Sequence, residues 1–199
     1  MQAHQYIQTM LATLDNKKIP ETGLLYAEKL FAQDWNYEWQ SVKQVDEFCH
    51  FIKMQKVSLE SIQTQTQGRN LLVLLAAYVA EVISRHIGLP ITWTEGSENN
   101  EQIEKSVRQG DFSQSLIAII HEKSLNPLEV IIENLQSKNA ANHCYSYIQM
   151  IAELLKESLD INDWSYICLN KVTHHEPIFG GNFYHDYLAK IELDYSLSS

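Results

Sequence analysis

Apolar residues recur at spacings of three and four along four stretches of the first half of the chain, the period of a helix with one buried face. Tyr6, Ile7, Met10, Leu11 and Leu14 form one stripe and predict a helix over about 2–14. Leu24, Leu25, Ala27, Leu30 and Phe31 predict a second over about 22–33, with Thr22 as its cap. Val42, Val45, Phe48, Cys49 and Ile52 predict a third from about Ser41 to Met54, with Ser41 at its N-cap. The polar run SIQTQTQGRN, residues 61–70, reads as a separator. Beyond it, Leu71–Ile87 is apolar around most of its circumference, the pattern of a central, enclosed helix. Gly88 and Pro90 end it.

The pattern then changes. ITW at 91–93 and the β-branched run SLIAII at 115–120 predict short strands, separated by an acidic linker with room for one helical turn around Ile103. Asn126-Pro127 starts a helix through about Leu135, because proline suits the first helical position. A longer helix is expected from about Ala141 to Leu159, carrying Cys144, Tyr147, Ile148, Ile151, Leu154 and Leu155. WSYICL, 164–169, reads as a strand. Tyr187, Ala189, Ile191, Leu193, Tyr195 and Leu197 alternate as a strand does, although Tyr184, Leu188, Ile191 and Tyr195 also make a helical stripe. The fold class expected is α+β: mostly helical, with a small, largely antiparallel sheet. One domain over 1–199 accommodates this, with no repeat or low-complexity segment.

Composition narrows the functions. Hydrophobic residues are 45% and charged residues 20%, a globular balance. Formal charge is −10, with acids spread from Asp15 to Asp194. That disfavours nucleic acid and anionic membrane as partners, since both need a basic patch, and permits a protein partner with a basic surface, though acidity more often serves solubility. Cys49, Cys144 and Cys168 are odd in number and form no CxxC pair, so they suggest neither a zinc knuckle nor a disulfide framework; Cys49 and Cys168 are expected to be small buried residues in a reducing cytoplasm. The N-terminus lacks a signal-peptide pattern, and the longest apolar run, Leu71 to Ala80, is half a membrane span.

The stretch LLAAYVAEVISRHIGLPITW resembles a family of uncharacterised bacterial proteins, a domain of unknown function, marked by a Tyr-x-Gly-Glu-Val helix and a Trp-bearing strand about ten residues on. Tyr78, Glu81, Val82 and Trp93 match, and Ala80 stands where the family has glycine. Upstream, WNYEWQSVKQVDEFCHFI looks like the family's first signature helix, with Ser41, Val45, Asp46 and Phe48 at the matching places; residues 125–148 look like its later Pro-led helix, turn and final helix. The resemblance covers about residues 34–155, leaving an N-terminal helical extension at 1–33 and a strand-rich one at about 160–199. It implies fold and supplies no catalytic residues.

Candidate chemistry is sparse. Glu81 is a carboxylate in an almost wholly apolar helix, where burial would raise its pKa towards that of a general base. Arg85 lies four residues on, in the favourable order for an ion pair, and Tyr78 three residues before; structural pairing is the stronger reading. Trp93 fits a ligand platform or, better, a core anchor. Tyr78, Glu81 and Trp93 together are the candidate binding residues. His174, His175 and His185 lie around Gly180-Gly181 without the spacing of an HExxH site, so a turn between strands is favoured over a metal site. His143 and Cys144 are sequence neighbours, which on a helix does not align a base with a nucleophile.

A cytoplasmic, non-enzymatic protein-binding module of immunity or regulatory type, without a cofactor, is the leading expectation. The aromatics of the C-terminal region more readily roof the core than face a partner; if they face one, they are its contact surface. The alternative is a metal-dependent or carboxylate-based hydrolase using Glu81 or the His174–His185 segment.

Overall fold

The computed structural model describes residues 3–95, 116–120, 123–137 and 143–160, with the side chains of Glu95, Lys123 and 154–160 outside that description. The helices are α1 (Ala3–Asn16), α2 (Ala27–Phe31), α3 (Val42–Met54), α4 (Leu59–Thr64), α5 (Thr66–Ile87), α6 (Pro127–Gln136) and α7 (His143–Asp160), with a 3-10 turn at Trp39–Ser41. Strands β1 (Ile91–Glu95), β2 (Leu116–Ile120) and β3 (Lys123–Leu125) form an antiparallel sheet in the order β1-β2-β3. The fold is α+β, mostly helical with this small sheet. The strands expected after 160 and the turn around Ile103 lie outside the described residues.

Helix α5 organises the rest. Every residue from Asn70 to Ala80 is buried, and so are Val82, Ile83 and Ser84. It packs against α1, α4, α6, α7 and β1. By length and apolarity it could cross a membrane, but 78% of its most apolar window is buried inside the protein, as in a core helix. Gly88 ends it in the left-handed conformation at φ 71, and the Ser84 hydroxyl donates to the Leu89 carbonyl at 2.6 Å, tying down the exit.

Two expected boundaries moved. The polar run 61–70 is no separator: α4 and the first turn of α5 are built from it. Its Gln and Thr side chains face water, while Ile62 and Gly68 are buried at the corner between the helices. Gly68 is required there, because a Cβ would come 2.1 Å from the Ile62 carbonyl oxygen. The second helix shrinks to Ala27–Phe31, since Tyr26 is left-handed at φ 55 and breaks the helix before it. Thr22 therefore caps nothing; its Oγ1 accepts from Asn70 Nδ2 at 2.9 Å.

Asn70 explains that arrangement. It is a buried amide on the most apolar helix, and such a group must find partners. Its Nδ2 also donates to the Gly23 carbonyl at 2.7 Å, and its Oδ1 accepts from Tyr6 Oη at 2.6 Å. One amide thus fastens α1 and the turn before α2 to the core.

The sheet starts as expected. Ile91 and Trp93 are buried, and Trp93 sits opposite the buried Ala118. β3 was not expected, being three residues with no alternation to read. At the start of α6, Asn126 Oδ1 accepts from the Glu129 amide at 3.2 Å, the expected cap before Pro127.

Candidate functional site

The expected site centres on Tyr78 and Glu81. Glu81 leaves the apolar core at the edge of α5, and its Oε1 accepts from Arg85 Nε at 2.8 Å. The carboxylate is 19% exposed and the guanidinium 51%, so the pair stands at the surface rather than sealed inside. This is the structural pairing the sequence favoured.

Tyr78, by contrast, is fully buried, and its partners come from the segment before α3 rather than from Glu81. Residues 34–40 lie across α5 with Trp35, Tyr37 and Trp39 half-buried against it and Asp34, Asn36, Glu38 and Gln40 exposed between them. The Trp35 ring meets Tyr78 edge-on at 4.8 Å and Tyr37 leans on it at 4.9 Å. Trp39 stacks on His86 at 4.3 Å, and the Arg85 guanidinium lies 3.8 Å over the Tyr37 ring.

A directed hydrogen-bond chain runs beneath these rings. The Tyr37 amide donates to Tyr78 Oη at 3.1 Å, and Ser41 Oγ donates to the Glu38 carbonyl. With the serine proton spent there, the Tyr78 hydroxyl must donate to Ser41 Oγ. Tyr37 is left-handed at φ 58, an unfavourable conformation for an aromatic residue. Its amide, ring and hydroxyl are each held, the last by Asp15 Oδ1 at 2.7 Å. Burial pushes the Tyr78 hydroxyl above the usual tyrosine range, which keeps its proton in place. Ser41 stands at the N-cap position of α3 but does not cap it with its side chain, which is committed to this chain.

A second constellation was not foreseen. Asp46 of α3 is 7% exposed, and its carboxylate faces the start of α7. Its Oδ1 accepts from the Cys144 amide at 2.8 Å and from Asn134 Nδ2 at 2.7 Å, and its Oδ2 accepts from the Tyr145 amide at 3.0 Å. The residue caps a helix in a distant part of the chain, where the helix dipole favours negative charge. Loss of water pushes its carboxyl up to about 6, against the pull of these donors. Two turns along α3, Lys53 Nζ donates to the Asn134 carbonyl at 2.9 Å, satisfying the last turn of α6.

Chemically, both constellations hold the fold. Asp46 has the pKa of a base, but its oxygens are filled by N–H donors. Trp93 is a buried core side chain at 6% exposure, away from the surface a ligand platform needs. Cys49 and Cys144 are free and buried. Among the described residues no group of three or more His, Cys, Asp or Glu could hold a metal. His174, His175, His185 and Cys168 lie outside the described residues.

Ser41, Asp46 and Tyr78 each make hydrogen bonds to residues 37 or more positions away, and no local pattern in the sequence marks those bonds. No family model, curated protein or solved structure matches the chain.

Proposed function

We propose that the protein is a cytoplasmic, non-enzymatic binding module of immunity or regulatory type, whose partner is another protein with a basic surface. The observation that carries this reading is the segment 34–40, which spends its aromatic residues on α5 and turns Asp34 and Glu38 outward, with Asp15 exposed beside Tyr37. An acidic face on a well-anchored segment accelerates encounter with a basic partner and fixes its orientation. The chain's charge of −10 supports the same reading. So do the commitments of Glu81 to Arg85 and of Asp46 to helix capping, which leave these carboxylates structural duties. The resemblance over about 34–155 to uncharacterised bacterial proteins belongs to this proposal.

The test is native mass spectrometry of tag-free protein, followed by a salt series on any complex. A second polypeptide that is basic and dissociates steeply with salt is the expected result, weakened further by Asp34→Asn with Glu38→Gln. A retained metal or metabolite, or a complex indifferent to salt, overturns it.

A further inference from the structure

We propose that Cys49 and Cys144 form a latent disulfide site, which a small-molecule disulfide such as oxidised glutathione closes in the folded protein, locking α7 onto α3. Two cysteines far apart in sequence come close in the core: Cys49 lies one turn beyond Asp46 on α3, Asp46 holds the Cys144 amide at 2.8 Å, and both cysteines are fully buried at the α3–α7 contact. Asn134 Nδ2 approaches Cys144 Sγ at 3.6 Å from α6 and helps fix its position.

Access follows from position. Cys144 is the second residue of α7, and the ends of helices open more readily than their middles. Opening that first turn releases the Cys144 and Tyr145 amides from Asp46, whereas Cys49 sits in the middle of α3. Cys144 is therefore the thiol that reacts first.

The chemistry balances without a metal. The Cys144 thiolate attacks one sulfur of the reagent, forms a mixed disulfide and expels one thiolate. When the turn recloses, the Cys49 thiolate attacks the Cys144 sulfur and expels the second. The protein loses two protons and two electrons, and the reagent becomes two thiols. Burial and the Asp46 carboxylate hold the Cys144 thiol well above its usual range, so the reaction is slow at neutral pH and quickens as pH rises.

The experiment incubates the folded full chain with oxidised glutathione, alkylates the remaining thiols and maps the peptides. A Cys49–Cys144 linked peptide is expected, in the wild type and in Cys168→Ser alike, with a higher melting temperature than the reduced protein. Cys49→Ser is expected to stop at a glutathione adduct on Cys144, with circular dichroism confirming that it folds. Three results overturn the proposal: a pairing that involves Cys168, an adduct on Cys144 that never resolves in the wild type, or no reaction at a pH where the denatured chain oxidises fully.

Discussion

Asp46 and Lys53 stand two turns apart on one side of α3 and hold opposite helix ends, the carboxylate at the start of α7 and the ammonium at the finish of α6. Each charge meets the end of the helix dipole that it stabilises. Helix α3 is thus a brace for the junction between the two later helices.

Removing the brace at one point is expected to be costly. Asp46→Ala leaves the Cys144 and Tyr145 amides and the Asn134 side chain without their acceptor in the interior. We expect a loss of about 2–3 kcal/mol, read from the urea midpoint. A loss below about 0.5 kcal/mol would show that water replaces the carboxylate at no cost.

The same residue sets a pH dependence. Burial raises its carboxyl from the ordinary 3.8 to about 6, so the folded state takes up a proton before the unfolded chain does. The contribution of Asp46 to stability is then greatest below about pH 4 and declines as pH rises through about 6, by on the order of 2–3 kcal/mol in all. Unfolding of the wild type and of Asp46→Asn across this range isolates the effect: the wild type is expected to lose ground to the variant as pH rises. The opposite slope would mean that the three N–H donors outweigh burial.

Tyr78→Phe removes the middle of the hydrogen-bond chain between Tyr37 and Ser41 while keeping the ring that meets Trp35. The Tyr37 amide is left unpaired in a conformation it adopts only because it is held there. A loss of about 1–2 kcal/mol is expected, with a change in the near-UV circular dichroism of the aromatic layer. Ser41→Ala on top of Tyr78→Phe is expected to cost less than its single effect, since the two hydroxyls bond each other.

These cases mark what the sequence discloses. Periodicity located α1, α3, α5 and α7 because their stripes face one continuous core, and Gly88 and Asn126-Pro127 marked ends by local chemistry. Local patterns cannot show partners that folding brings together. Nothing local marked Asp46 as a helix cap, because its donors lie 88 and 98 residues on. Tyr78 was read beside Glu81, its neighbour on the helix, whereas its bonds go to Ser41 and Tyr37. The polar run 61–70 was misread for the same reason: Gln and Thr face solvent on a short helix as readily as in a loop, and only the closeness of Gly68 to Ile62 separates the two.

Two glycines are expected to respond differently to alanine. At Gly68 the new methyl meets backbone at 2.1 Å, which nothing nearby can relieve cheaply, so Gly68→Ala is expected to cost more than about 3 kcal/mol or to prevent folding. At Gly88 the space is open and only the left-handed backbone at φ 71 is strained, a cost of about 1 kcal/mol. Thermal melts of the two variants rank them, and an inverted order would refute the tight α4–α5 corner.

Glu81→Gln and Arg85→Gln are each expected to cost less than about 1 kcal/mol, because a half-exposed guanidinium gains little from its partner. A larger loss for Arg85→Gln alone in urea unfolding would show that Arg85 contributes mainly by stacking on Tyr37.

The bracing role of α3 has a consequence during synthesis. Asp46 and Lys53 leave the ribosome while the residues they hold, 134 and beyond, are still to be translated. At about 5–20 residues per second, the wait is on the order of 5–20 seconds. Through that interval α3, whose Val45, Phe48, Cys49 and Ile52 are all buried in the finished fold, lacks two of the helices it packs against, α6 and α7. The nascent chain therefore offers chaperones an apolar helix face well before it can close, and a ribosome that slows between codons 54 and 134 lengthens that exposure.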